Sequence, residues 1–315
     1  MLPLVLIGTG AGAASALLMA TMASRSPFAL MLVLLAPLPI IIAAVGWSHW
    51  TALFAVAVAV VALTAAFGEP LWIPIYLIGA GLPGWWLGYL ALLARSNDDG
   101  SVEWYPPGRL IIWCAILGAA IVAIAMLNVR VDEQQFQAAI KLTLERMAKE
   151  YGKSGPDLSA IDAKRMGDLI MSFMPPLAAA MITVAFALNL YVAGRAVMVS
   201  GRLKRPWPDL ASLRFPRHAP AAFAIALLVW FFPGLIGMLG GIASGAFTIA
   251  YALLGLAVLH EVTRPLGDRV FILSAVYLII FVFWPACVLL AMFGVSDQIF
   301  DFRKSAPGNQ PPAVT

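Results

Sequence analysis

Charge is what this chain has least of. Asp, Glu, Lys and Arg together make up 11% of its 315 residues, against about 25% in soluble globular domains. That shortage leaves too little polar surface to wrap a water-borne globule of this length. Cysteine is nearly absent as well. Cys114 and Cys287 both lie inside apolar runs, with no CxxC and no zinc-ligand spacing, which rules out a disulfide framework and a cysteine metal site. Also missing are the motifs GxxxxGK[ST], HExxH and GxSxG, and any GxGxxG that follows a strand. With no paired acid, base or nucleophile in view, the chain is not read as an enzyme, and no cofactor or metal is expected.

What is present is oil. Hydrophobic residues reach 62%, and the mean hydropathy is +0.91. The apolar residues come in long uncharged stretches, such as Thr51 to Phe67 and Ala219 to Val258. About 20 apolar helical residues cross the roughly 30 Å hydrocarbon layer of a bilayer. Inside lipid every backbone polar group needs an internal partner, so the spans are helices. The expected fold is therefore all-α, a polytopic bundle of about eight to nine membrane helices. Residues 1–304 form one transmembrane domain and 305–315 a Pro-rich disordered tail. The net charge of +4 fits Lys and Arg gathering on cytoplasmic loops. It does not call for nucleic acid.

Nine apolar segments can be traced. The first, Pro3 to Ala23, is rich in Gly and Ala and is read as a retained helix rather than a cleaved signal peptide, because no basic region precedes it. The second, Phe28 to Val45, carries Pro37 and Pro39 and must kink. Trp47 and Trp50 mark an interface after it. Thr51 to Phe67, Leu71 to Ala94 and Leu110 to Asn128 follow. The long extramembrane stretch 129–168 places Phe136, Ile140, Leu144, Met147 and Tyr151 at helical spacing among charges, an amphipathic helix. Leu169 to Val199 leads into a basic loop with Arg202, Lys204, Arg205, Arg214 and Arg217, a cytoplasmic marker. Segments seven and eight fill Ala219 to Val262, with a glycine-rich hinge from Gly234 to Gly245 expected between them. Val270 to Phe293 is the ninth. Nine spans with the basic loop inside would put Arg303 and Lys304 on the outer side. Eight spans remain if one segment is re-entrant, and segment two and the glycine hinge are the candidates.

Polar groups at membrane depth are the candidate functional residues, since each is costly in lipid. Asn189 either lines a cavity or bonds to a neighbouring helix. Tyr191 and Tyr251 suit a pocket or helix packing. His260 and Glu261 close the eighth segment, with a proton-coupled or ligand role or as a juxtamembrane cap. The interior otherwise offers proline-broken helices and almost no charge. That pattern suits a substrate-binding or transport subunit for a small, poorly charged molecule. The alternative is a non-transport scaffold or assembly factor working through the basic loop and the amphipathic insert. The expected partners are membrane lipid and an energising or assembly protein.

Two stretches carry a family resemblance: Leu254-Gly255-Leu256-Ala257-Val258-Leu259-His260, and the ending Gly294-Val295-Ser296-Asp297-Gln298-Ile299-Phe300-Asp301-Phe302-Arg303-Lys304. They resemble the YybS-like family of bacterial integral membrane proteins, a domain of unknown function. The loop Trp104-Tyr105-Pro106-Pro107-Gly108 is similar too. The resemblance implies a multi-pass protein of the bacterial inner membrane, with Gly255, His260, Asp297, Asp301 and Arg303 as family-motif positions. It also implies a distant kinship with the substrate-binding subunits of energy-coupling-factor vitamin transporters, whose helix-docking motif Ala16-x-x-x-Ala20 is similar to. This chain departs from those subunits in its extra spans and its long insert.

Overall fold

The computed structural model describes residues 2–24, 26–128, 163–209 and 213–304, with isolated positions at 138, 141–143 and 146. The amphipathic insert expected over 129–168 therefore falls almost wholly outside the described residues, as does the 305–315 tail. What is described is an all-α bundle with one small hairpin, Ala94–Ser96 against Val102–Trp104. Among the described residues, six helices are long and apolar enough to cross a membrane: Leu4–Ser24, Ala29–Gly46, His49–Phe67, Pro107–Asn128, Lys164–Val199 and Gly234–Val262.

The N-terminal lobe is built on close backbone approach. Helix α1 (Leu2–Ala20) runs parallel to α4 (His49–Phe67), and Gly8 and Gly12 lie against Thr51, Phe54, Ala55 and Val58. A methyl group at Gly12 would collide with the Ala55 carbonyl. Water does not drive helices together inside lipid, so small residues that permit close packing supply the attraction. Ser48 caps α4, its Oγ accepting from the Thr51 amide, and Gly68 ends the helix in the left-handed region at φ 69°. Between these helices runs the proline-kinked segment, α2 (Ala29–Leu34) and α3 (Pro37–Gly46). Pro37 has no amide to give Val33, and the ladder slips to three-residue spacing through Leu35, Ala36 and Leu38. Helix α5 (Trp72–Tyr76) continues through a wide π turn, Leu77–Gly81, into α6 (Leu82–Ala91). Pro83, which cannot donate, is the second residue of α6. Gly84 and Gly88 of α6 seat on Pro37, Ile40, Ile41 and Ala44 of α3.

Helix α7 (Pro107–Asn128) and the long α8 (Ala163–Val199) form the seam between the lobes. Pro175 and Pro176 sit within α8 without ending it, and Pro176 packs against Gly241 and Gly245 of the next lobe. The C-terminal lobe is centred on α10 (Gly234–Val262), most of whose mid-section is buried. Helix α9 (Ala219–Trp230) folds back along its first half. Helix α12 (Cys287–Phe300) runs antiparallel along its second half in the most extensive helix pair of the bundle. Helix α11 (Arg269–Val282) has no buried residue.

Two expectations are corrected here. The hinge is not the glycine run 234–245, which is helical throughout. The chain turns at Phe231–Pro233, where Pro233 is extended and Gly234 takes φ 69°. The glycines form a contact face instead, with Gly237, Gly240 and Gly241 against Trp230 and Phe232 and Gly245 against Pro176. The ninth segment is not one helix either. It breaks at Phe283–Ala286, where Pro285 interrupts the ladder, leaving two helices of 14 residues each.

The outer surface is greasy. Leu17, Phe231, Phe271, Phe281 and Leu289 all stand exposed. In water such a surface would aggregate; facing acyl chains it costs nothing.

Candidate functional site

Two polar knots lie within the bundle, each at a place where the backbone breaks. The first forms where Pro37 interrupts the second span. The Leu34 carbonyl, which would otherwise accept from Leu38, takes the Asn189 Nδ2 at 2.7 Å, across 155 residues of chain. The Ala36 carbonyl accepts from Ser15 Oγ at 2.6 Å, and that hydroxyl also meets the Tyr76 hydroxyl at 2.8 Å. Ser15, Tyr76 and Asn189 are all buried. Asn189 thus bonds from one helix to another, and its Oδ1 has no hydrogen-bond partner among the described residues.

The second knot is larger and gathers most of the C-terminal motif. Gly255 and Gly294 let α10 and α12 touch: a methyl at Gly255 would strike the Leu290 carbonyl, and one at Gly294 the Tyr251 carbonyl. Past this crossing α12 ends at Asp301, a non-glycine residue in the left-handed region at φ 52°, whose amide returns to the Asp297 carbonyl at 2.7 Å. The turn Phe302–Lys304 then carries Arg303 back onto its own helix. Arg303 is 5% exposed and Asp297 1%. Asp297 Oδ2 accepts from Nη2 at 2.8 Å and from Nε at 3.0 Å, while Nη1 donates to the Leu213 carbonyl at 2.8 Å. Gln298 donates to the Pro216 carbonyl at 2.8 Å and accepts from the Tyr251 hydroxyl at 3.0 Å. Arg214 pairs with Asp301 at 2.9 Å. The end of α12 is thus stitched to the stretch 213–216 by charge and amide and to α10 by the Tyr251 hydroxyl.

Beside this knot opens a cavity of about 510 Å³, lined by Arg214, Phe215, Arg217, Pro220, Leu254, Gln298, Ile299, Asp301 and Arg303. Three guanidinium groups face one carboxylate of the lining. Arg217 is exposed and makes no hydrogen bond or ion pair with any described residue. A smaller cavity of about 160 Å³ lies between Trp47, Ser48, His49, Tyr89, Leu92, Leu93 and Lys204.

The rest of the basic loop folds onto the bundle. Arg205 Nη1 caps the Ala91 carbonyl at 2.9 Å, and its burial lowers the guanidinium below its ordinary pKa. Arg202 lies 4.8 Å over the Trp47 ring and Arg195 5.3 Å over Trp207, cation–π contacts of the interfacial kind. Tyr191 meets Trp207 edge-on at 5.5 Å, so it holds the loop rather than lining either cavity. Tyr251 packs between Phe215 and Phe223. His260 Nδ1 is 2.9 Å from the Leu256 carbonyl one turn back, and Glu261 pairs with Arg264 at 3.3 Å. His260 Nε2 also stands 3.5 Å from the Tyr277 hydroxyl of α11.

The structure therefore brings Gly255, Asp297, Asp301 and Arg303 together and leaves His260 apart. Arg214, Arg217 and Gln298 escape a reading by burial cost. The arginines look like ordinary loop charges, and nothing local announces that the C-terminus returns to them.

No curated protein and no solved structure matches the chain. Residues 13–298 match the family model described as "Predicted membrane protein (DUF2232)", and the chain belongs to that family of membrane proteins.

Proposed function

We propose that this integral membrane protein is a binding subunit whose ligand site is the arginine-lined vestibule between 213–220 and the end of α12. One observation carries the reading. A cavity of about 510 Å³ is bordered by Arg214, Arg217 and Arg303; Arg217 makes no ion pair among the described residues and Arg214 is about half exposed, cationic groups suited to an anion, since guanidinium groups match carboxylate and phosphate geometry. The ligand class expected from sequence changes accordingly. A poorly charged molecule at the midplane would need Asn189 and Tyr251 open to it. Asn189 is tied to Leu34, Tyr251 to Gln298, and neither borders the two cavities described above.

The topology supports one ligand-facing side. Contacts make α1 parallel to α4, and α3, α6 and α8 parallel to one another. The chain start, residues 47–48, the 94–104 hairpin and the basic loop then share a face. Counting the short α9 and the α5–α6 segment with the six long spans gives eight crossings, with α11 and α12 left on the basic side. Arg303 reaches the basic loop directly, which removes the charge conflict that nine spans create. By the preference of Lys and Arg for the cytoplasm, this face is the inner one.

A scaffold acting through the basic loop has less support, because Arg202, Arg205 and Trp207 are already engaged within the chain. Docking in the manner of energy-coupling-factor subunits has less support too, since Ala16 is buried inside the bundle. The test is native mass spectrometry of protein purified in mild detergent. Wild type should retain a small anionic molecule that the double variant Arg214→Gln/Arg217→Gln loses. Equal retention by both, or none by either, contradicts the reading.

A further inference from the structure

The cavity has a second property that its charge does not explain. Ile299 belongs to its lining and is also 63% exposed on the outer face of α12. On the same helix Leu289, Met292, Ile299 and Phe300 are all exposed. Residues 289, 292, 299 and 300 share one side of α12, with Ser296 between them, its hydroxyl turned back onto the Met292 carbonyl, and that side ends at the vestibule mouth. Inside, the charge is positive: Arg217 carries no partner among the described residues, and Arg214 is about half exposed beside Asp301. A cationic socket at the end of a bare apolar ridge matches one kind of molecule, with an anionic head and an acyl tail.

From this juxtaposition we infer that the vestibule binds an anionic phospholipid, its phosphate held by Arg217 and Arg214 and one acyl chain lying against Ile299 and Phe300 at the end of α12. The inference rests on the vestibule being the ligand site and names what occupies it. Free phosphate would satisfy the arginines equally but has no use for the ridge. The chain-length dependence therefore separates the two sources. Arg303 is not available as a primary contact, because its three donating nitrogens already serve Asp297 and Leu213.

The experiment uses the full chain in mixed micelles holding equal amounts of phosphatidylglycerol and phosphatidylcholine, read by native mass spectrometry, with a parallel thermal-shift titration against inorganic phosphate. Wild type should retain phosphatidylglycerol about tenfold over phosphatidylcholine. Arg217→Gln should weaken that retention roughly fivefold, the equilibrium weight of one basic side chain at an anionic surface, and Arg217→Lys should keep most of it. Ile299→Ser should weaken long-chain phosphatidylglycerol and leave a short-chain form unchanged. Because Arg217 is exposed and unpaired, its variants should melt with wild type. Stabilisation by millimolar phosphate, lost in Arg217→Gln, together with equal retention of the two lipids overturns the lipid assignment and leaves the vestibule reading standing. No response of wild type to any of these probes overturns both.

Discussion

Removing Arg303 should do more damage than any other single truncation at the chain's end. Its guanidinium makes two hydrogen bonds to Asp297 Oδ2, at 2.8 and 3.0 Å, and one to the Leu213 carbonyl at 2.8 Å. Both partners of the ion pair are at most 5% exposed. In Arg303→Met the Asp297 carboxylate stays in place with no counter-charge, and the Leu213 carbonyl loses its donor. Breaking one half of a buried pair costs about 3–5 kcal/mol, whereas replacing both halves with apolar groups is often close to neutral. The double variant Asp297→Leu/Arg303→Met should therefore recover most of what either single variant loses. Thermal unfolding in detergent would show the singles down by on the order of 10 °C. The coupling between the two sites should exceed about 2 kcal/mol in a double-mutant cycle. Arg303→Lys should fall between, because an ammonium cannot reproduce the planar fork that reaches Asp297 and Leu213 together. Additive losses, or singles within about 0.5 kcal/mol of wild type, would refute the argument that the chain's end is held by this pair.

Other consequences can be checked the same way. Gly255→Ala and Gly294→Ala each drive a methyl into a facing carbonyl, so each should destabilise by about 1–3 kcal/mol, while Gly10→Ala, which meets nothing, should be silent in the same melt. Asn189→Leu strands the Leu34 carbonyl freed by Pro37 and should cost about 1–3 kcal/mol; no change would mean that this carbonyl finds another donor. Asp99 accepts from Ser101 at 2.8 Å, and the Ser101 side chain and amide lower its carboxyl below the usual range. A folded value below the unfolded one means the turn is supported above the ordinary Asp range and loses that support as pH falls through the lower value. The Ser101 amide resonance should titrate with that low midpoint, and an ordinary Asp midpoint would show the bond is not kept.

The membrane character of the fold was legible because hydropathy and length need no tertiary information. Pro37 also announced its kink, since a missing amide is a local fact. The Gly234–Gly245 run misled because glycine is read as a breaker by propensity, while in lipid a glycine face lets helices touch. Phe231–Pro233 breaks the chain instead, through one proline followed by one left-handed glycine. Val270 to Phe293 reads as a single span by composition, and only Pro285 marks its interruption. Asn189 was legible as costly to bury, but its partner, 155 residues away, was not. The vestibule was hidden for the same reason. Arg214 and Arg217 come to line a cavity with Arg303 only because Asp301 turns the chain left-handed and returns Arg303 to Leu213, a contact spanning 90 residues.

The central claim is that residues 301–304, the basic loop and the 94–104 hairpin share one face of the membrane, so that the vestibule opens to one side. The measurement is accessibility of single cysteines to an impermeant maleimide in intact cells, on a background with Cys114 and Cys287 replaced. Asn97→Cys, Arg202→Cys and Lys304→Cys should all be protected until the membrane is permeabilised, while Gly68→Cys, at the opposite end of α4, should label at once. Labelling of Lys304→Cys together with Gly68→Cys, and apart from Arg202→Cys, would contradict the account.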